Sequence, residues 1–158
     1  MTCKIVATGD KLIGGGVRTI YTCIEDMIES AEHDILIATF SMSQNIKELL
    51  NLLEAKLKLG VELIIIINRL QEQSEEIKNY LQYLENNYDF IKIINFSKID
   101  PGSELHMKVI VVDRKKALIG SANFTWKGLL DNYEIAVYFE GEKADEIYQL
   151  ISKIIYSQ

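Results

Sequence analysis

His106 and Lys108 open the segment HMKVIVVDRKKALIGSANFTWKGLLDNYE, residues 106–134. On a strand, side chains two positions apart share a face, roughly 6–7 Å apart along the chain. An imidazole beside an ammonium suits work on an anionic group such as a phosphate. The lysine attracts the anion, and the histidine can act as nucleophile or proton carrier near neutral pH. Gly120, Ser121 and Asn123 follow downstream. The glycine permits tight backbone approach, and Ser121 and Asn123 add neutral hydrogen-bond donors. Such donors can stabilise the extra charge of a pentacoordinate transition state. Glu134 could hold the imidazole in one tautomer through its other ring nitrogen.

These side chains need a scaffold, and the hydrophobic pattern supplies one. Short apolar runs predict strands over residues 4–7, 34–40, 61–67, 90–96, 105–112, 117–119 and 133–139. The almost continuous β-branched run at 61–67 predicts a strand buried on both faces. Helical spacing predicts helices over 20–31, 45–59, 75–88 and 141–155, the second capped by Asn45 or Ser43 and stopped by Gly60. Arg114, Lys115 and Lys116 form a polar turn between the strands at 105–112 and 117–119, which predicts a hairpin. Strands alternate with helices first and cluster later, which predicts an α/β sandwich on a mixed sheet, with residues 1–158 as one domain.

The composition bounds the function. The chain has 17 basic and 23 acidic residues, a formal net charge of −6 that argues against general coating of a polyanion and leaves a local basic site open. The two cysteines, Cys3 and Cys23, cannot build a disulfide framework or a four-cysteine zinc site, and are expected as free thiols of a reducing compartment. The N-terminus lacks the basic and apolar stretches of a secretory signal, so a cytoplasmic protein is expected. With two histidines in all, imidazole chemistry has few candidates.

The residues also match a family. His106, Lys108, Asp113, Gly120, Ser121 and Asn123 reproduce the H-x-K-x4-D-x6-G-S-x-N signature of the phospholipase D superfamily. At average composition such a match arises by chance about once in a million chains of this length. Asn132 to Glu134 resembles the family's downstream N-x-E element, and residues 34–67 resemble its upstream strand, helix and strand. The resemblance implies a phospholipase D-like α/β/α sandwich and a metal-independent phosphodiesterase without cofactor, most of all a small endonuclease acting on DNA or RNA.

Many members carry two such motifs in one chain, and this chain has one. The other histidine, His33, has no lysine two residues on and reads as a surface residue near a helix end. The family's reaction uses two imidazoles, one attacking phosphorus and one protonating the leaving oxygen. The resemblance to single-motif nucleases therefore implies a homodimer in which His106 of both subunits meets across a two-fold axis. One His106 would become a phosphohistidine. Lys108 and Asn123 would bind nonbridging phosphate oxygens, and Ser121 and Glu134 would orient the imidazoles. Asp113, an odd number of residues after His106, would face away and hold the following turn. Lys108 and the histidines would supply the positive charge a metal would otherwise provide.

Several features admit two readings. Gly14, Gly15 and Gly16, followed by Val17 and Arg18, fit a flexible loop or a phosphate cradle at a helix start, but lack the ending of a P-loop. Arg114, Lys115 and Lys116 fit a solvated turn or a phosphate contact. Trp126 and Lys127 fit stacking and backbone binding of a nucleic acid, or, for Trp126, core or interface packing. Lipid phosphodiester cleavage and a non-catalytic nucleic-acid-binding module of a larger assembly are the alternatives. No exposed amphipathic basic helix suggests stable membrane association. No helix-turn-helix or zinc-finger pattern is visible, so sequence specificity would need a partner protein.

Overall fold

The apolar runs assemble, in a computed structural model that describes residues 2–157, into one mixed sheet of eight strands. The strands are β1 (Cys3–Thr8), β2 (Arg18–Thr19), β3 (Asp34–Thr39), β4 (Glu62–Ile67), β5 (Ile91–Asn95), β6 (Val109–Val112), β7 (Lys116–Gly120) and β8 (Glu134–Glu140). Their order across the sheet is β2-β1-β8-β7-β6-β3-β4-β5. β3, β4 and β5 run parallel, joined by crossovers through α2 (Lys47–Lys58) and α3 (Glu75–Asn87). β6, β7, β8 and β1 are antiparallel neighbours.

Helices cover both faces, as the sequence pattern predicts. α1 (Ile20–Glu29), α2 and α3 pack Ile24, Leu53 and Leu81 against Ile37, Leu63 and Ile65 on one face. α4 (Glu142–Ile155) packs Tyr148 and Ile151 against Leu36, Ile66 and Val111 on the other. The β4 side chains divide between the two cores, which is why that strand is apolar at nearly every position.

This topology gathers one sheet edge into a site. The C-terminal ends of β1, β3, β4 and β7 and the N-terminal ends of β6 and β8 lie at the same edge, because the antiparallel strands reverse direction. Thr8 is paired opposite Glu134, and Ala38 opposite Val109.

The structure corrects several local expectations. The strand expected over 105–112 begins only at Val109, so His106 and Lys108 precede it in irregular backbone. The ladder with β3 ends at Ala38–Val109, leaving residues 104–107 without a strand partner. Neither Asn45 nor Ser43 caps α2: the Ser43 hydroxyl donates to Asn45 Oδ1 at 2.6 Å, and Ser43 Oγ accepts the Trp126 N–H. A two-residue edge strand, β2, and a wide π-helical turn at Lys127–Asp131 carry no sequence pattern long enough to read.

Candidate active site

His106 lies at the shared edge, exposed, with its ring against Phe40 from the end of β3 at a centroid distance of 5.0 Å and a tilt of 53°. Lys108 Nζ approaches His106 Nδ1 at 2.9 Å and donates to the His106 carbonyl at 2.7 Å. An ammonium can only donate, so Nδ1 accepts and the neutral ring carries its proton on Nε2. The same ammonium lies 5.9 Å from the Phe40 ring centroid. Partial burial lowers the Lys108 pKa from its ordinary value, opposed by the nearby Glu134 carboxylate.

Ser121 and Glu134 meet at the ends of β7 and β8. The Ser121 hydroxyl donates to Glu134 Oε1 at 2.7 Å, and Ile135 N donates to Ser121 Oγ at 3.2 Å. Asn132 Nδ2 donates to Glu134 Oε2 at 3.4 Å. Gly120 makes this meeting possible. A Cβ there would lie 2.4 Å from the Ala136 Cβ and 2.5 Å from the Ile135 carbonyl oxygen, inside contact distance. Among the described residues, Glu134 is hydrogen-bonded to Ser121 and Asn132 rather than to the His106 of its own chain.

Asn123 sits beside the end of β3, where Thr39 Oγ1 donates to its Oδ1 at 3.4 Å. Thr39 is fully buried and also donates to the Ser41 carbonyl at 2.8 Å. That contact engages the Asn123 amide through its oxygen, and the amide nitrogen is a donor. Trp126 is exposed and anchored by its backbone to Ser43; Lys127 is exposed at the start of the π-helical turn. The glycine loop reaches the Glu134 side of this edge: the Tyr133 ring packs over Gly9, and its hydroxyl accepts the Lys11 N–H. Gly14 and Val17 close that loop as a tight turn, and Thr19 caps α1 with its own hydroxyl, so the N–H of Thr22 is already engaged.

Two motif regions lie at the opposite edge. Asp113 follows β6 at its far end, five residues or about 16 Å of extended chain from Lys108. Its carboxylate accepts the N–H groups of Glu32, His33 and Asp34 at 2.9, 2.7 and 3.0 Å. It therefore clamps the chain entering β3, not the turn that follows it. Arg114 lies over the Tyr148 ring at 4.1 Å, and Lys116 donates to Ser30. The basic turn is thus remote from His106. His33 is an exposed residue past α1, as its sequence context implies.

Sequence reasoning missed Phe40, Thr39 and the polar group Asn68, Arg69 and Glu104 beside the His106 segment. None belongs to the motif, and their proximity depends on strand order. Among the described residues no three His, Cys, Asp or Glu side chains cluster as metal ligands, and no helix is long and apolar enough to cross a membrane.

The family described as "Cardiolipin synthase, PLD-like domain" matches residues 24–156. The chain belongs to the phospholipase D superfamily. It is 28% identical over 153 residues to the DISARM protein DrmC of Bacillus paralicheniformis, covering 96% of this chain and 62% of the relative. It is 30% identical over 130 residues to a phospholipase D of Rickettsia prowazekii, covering 79% of this chain and 57% of the relative. The chain thus spans about three fifths of the curated relatives it matches. Its phospholipase D-like fold is shared with Nuc of Salmonella typhimurium, a phospholipase D family member (TM-score 0.78, 22% identity, 99% of this chain and 95% of that one). NucT of Helicobacter pylori is similar (TM-score 0.75, 18% identity, 99% and 96%).

Proposed function

We propose that this protein is a phosphodiester hydrolase, an endonuclease cleaving DNA or RNA through a covalent phosphohistidine at a site shared by two subunits. The observation that carries the proposal is the Lys108 ammonium poised 2.9 Å from the His106 imidazole at the open edge where Asn123, Ser121 and Glu134 converge.

The chemistry follows from the groups. A phosphate draws Lys108 off Nδ1 to its nonbridging oxygens, where the Asn123 amide also donates. Release of Nδ1 lets the ring proton move there, which leaves the Nε2 lone pair free. Nε2 attacks phosphorus, the P–O bond to the leaving group breaks, and the His106 imidazolium of the second subunit protonates the departing oxygen. Water then attacks the phosphohistidine, gives its proton to that second imidazole, and the P–N bond breaks. Ser121 and Glu134 orient the imidazoles, and Lys127 can reach a flanking phosphate. No metal or cofactor enters these steps.

The pairing is supported by a sheet face that α4 leaves open. Ile5, Ile119, Ile135 and Val137, on the adjacent strands β1, β7 and β8, are 58%, 38%, 57% and 39% exposed. An apolar patch of this kind marks an interaction surface. It runs along the strand carrying Glu134, so a second copy seated there lies next to the site. Similarity to a relative named a DISARM protein favours a place in a larger assembly with a partner supplying specificity. The free thiols fit a cytoplasmic setting.

Plasmid and single-stranded DNA, RNA, and short-chain phosphatidylcholine incubated with excess EDTA test the proposal. Nucleic acid cleavage by wild type, absent in His106→Ala, with a dimeric mass, supports it. EDTA-abolished cleavage overturns the metal-free mechanism. Full activity at monomeric mass overturns the shared site. Cleavage confined to phosphatidylcholine replaces nuclease with lipid phosphodiesterase.

A further inference from the structure

The His106 segment lacks a ladder partner, and a polar cluster outside the motif secures it instead. Asn68, just past β4, is 2% exposed, and each of its polar atoms is hydrogen-bonded. Its Oδ1 accepts the Leu105 N–H at 2.9 Å, and its Nδ2 donates to Glu104 Oε2 at 2.6 Å. Its backbone N–H donates to the Thr39 carbonyl, and its own carbonyl accepts Gln73 Nε2. Arg69 adopts the left-handed conformation, φ 43°, and forks onto Glu104 through Nε at 3.1 Å and Nη2 at 2.7 Å. A non-glycine residue in that region is held there by its surroundings.

We propose that Asn68, Arg69 and Glu104 are positioning residues for His106, fixing the backbone on which the imidazole stands and setting the charge beside it. The inference rests on the phosphodiesterase reading for its kinetic consequence, while the structural consequence is independent of it. Leu105 adjoins His106, so displacing its anchored N–H displaces the nucleophile. A misplacement of about 1 Å costs on the order of a hundredfold in rate.

The charge effect has a definite sign. Charged groups around the imidazole are Lys108 and Glu104 on its own segment, Arg69 beyond β4, and Glu134 on β8 acting through Lys108; Phe40 from β3 is neutral. The Arg69 fork and the Asn68 amide hold the Glu104 carboxyl below its ordinary range, so it stays ionised, and it attracts an imidazolium. Arg69 tempers that attraction.

His33 is the second imidazole of the chain and serves as an internal reference. The test is an NMR titration of both imidazoles in the 15N-labelled full chain, paired with steady-state cleavage of bis(p-nitrophenyl) phosphate. In Glu104→Gln the His106 ring resonances shift toward the neutral form at a fixed pH near neutrality while those of His33 are unchanged, and in Arg69→Met they shift toward the protonated form. In both variants kcat falls about tenfold at nearly constant KM. Arg69→Lys, which keeps the charge and loses the fork, restores the titration and not kcat. Asn68→Ala, checked by its unfolding curve, loses kcat without moving His33. A His106 titration that tracks wild type in Glu104→Gln and Arg69→Met, or kcat within twofold of wild type in all variants, overturns the proposal. If wild type leaves the phosphodiester intact, the phosphodiesterase reading fails, and the titration alone decides the placement of Glu104 and Arg69.

Discussion

Lys108 Nζ donates to His106 Nδ1 in the single chain, so the group proposed to bind phosphate occupies the other ring nitrogen of the proposed nucleophile. This pairing keeps the ring proton on Nε2, the nitrogen that the proposed mechanism needs free for attack. In that mechanism phosphate binding and nucleophile activation are one event, because the anion that recruits Lys108 also releases Nδ1.

The expected outcome is visible by NMR without turnover. At alkaline pH the free wild-type protein shows the Nε2–H tautomer of His106, and saturating inorganic phosphate shifts it toward the Nδ1–H form. Lys108→Met shows no such response and loses kcat by about 10²–10³, the cost of removing one charge-stabilising donor. A His106 tautomer indifferent to phosphate in wild type would contradict the coupling.

Gly120 sets the spacing of Ser121 and Glu134. In Gly120→Ala the added methyl meets Ala136 and the Ile135 carbonyl, and β7 must move off β8. The strain of such overpacking is about 1–3 kcal/mol. Urea unfolding should show that loss, and the Ser121–Glu134 hydrogen bond should lengthen with a kcat decrease of at least about tenfold. Wild-type stability and rate in this variant would show that β7 and β8 can separate at Gly120 without cost.

The strand and helix pattern was legible because each element carries its own periodicity: β4 is apolar after Glu62, and α3 repeats Ile77, Leu81 and Leu84 at helical spacing. His106, Lys108, Ser121, Asn123 and Glu134 were legible through motif spacing, and the structure brings them to one edge. The backbone under His106 was misread as strand, since apolar character at Leu105 and Val109 fits a strand whether or not a neighbour remains to pair with it. Asp113 belongs to the motif and is expected to hold the following turn, yet its partners lie about 80 residues earlier and depend on β3 lying beside β6. Asn68, Arg69 and Glu104 were invisible for the same reason: 36 residues separate the amide from the carboxylate it holds.

The two thiols differ enough to be told apart in the native state. Cys3 is exposed, and Cys23 is on the buried face of α1 with its pKa pushed up to about 11 by burial. The thiolate is the reactive form, so Cys23 should be both inaccessible and protonated at pH 8. A disulfide-exchange reagent should titrate one thiol rapidly in the native protein and the second only in denaturant. Two fast thiols would place Cys23 outside the core.

Asp113 makes a stability prediction with a defined pH dependence. Burial disfavours its charge, but three backbone N–H groups outweigh burial and lower its pKa below the ordinary carboxyl value. A group whose folded pKa is depressed contributes stability above its unfolded pKa of about 3.9, and the contribution is lost as pH falls through the folded value. Asp113 also sits at φ 54°, a conformation that asparagine tolerates, so Asp113→Asn removes the charge without new backbone strain. At pH 7 the variant should be less stable by up to about 1.5–3 kcal/mol, the range for hydrogen bonds to a charged acceptor. The gap between the two urea midpoints should narrow steadily as pH falls below about 4. Cleavage per folded molecule should stay within about twofold of wild type at neutral pH, because the clamp on residues 32–34 lies at the opposite sheet edge from His106. A gap that stays constant with pH would show that shape, not charge, holds the entry to β3.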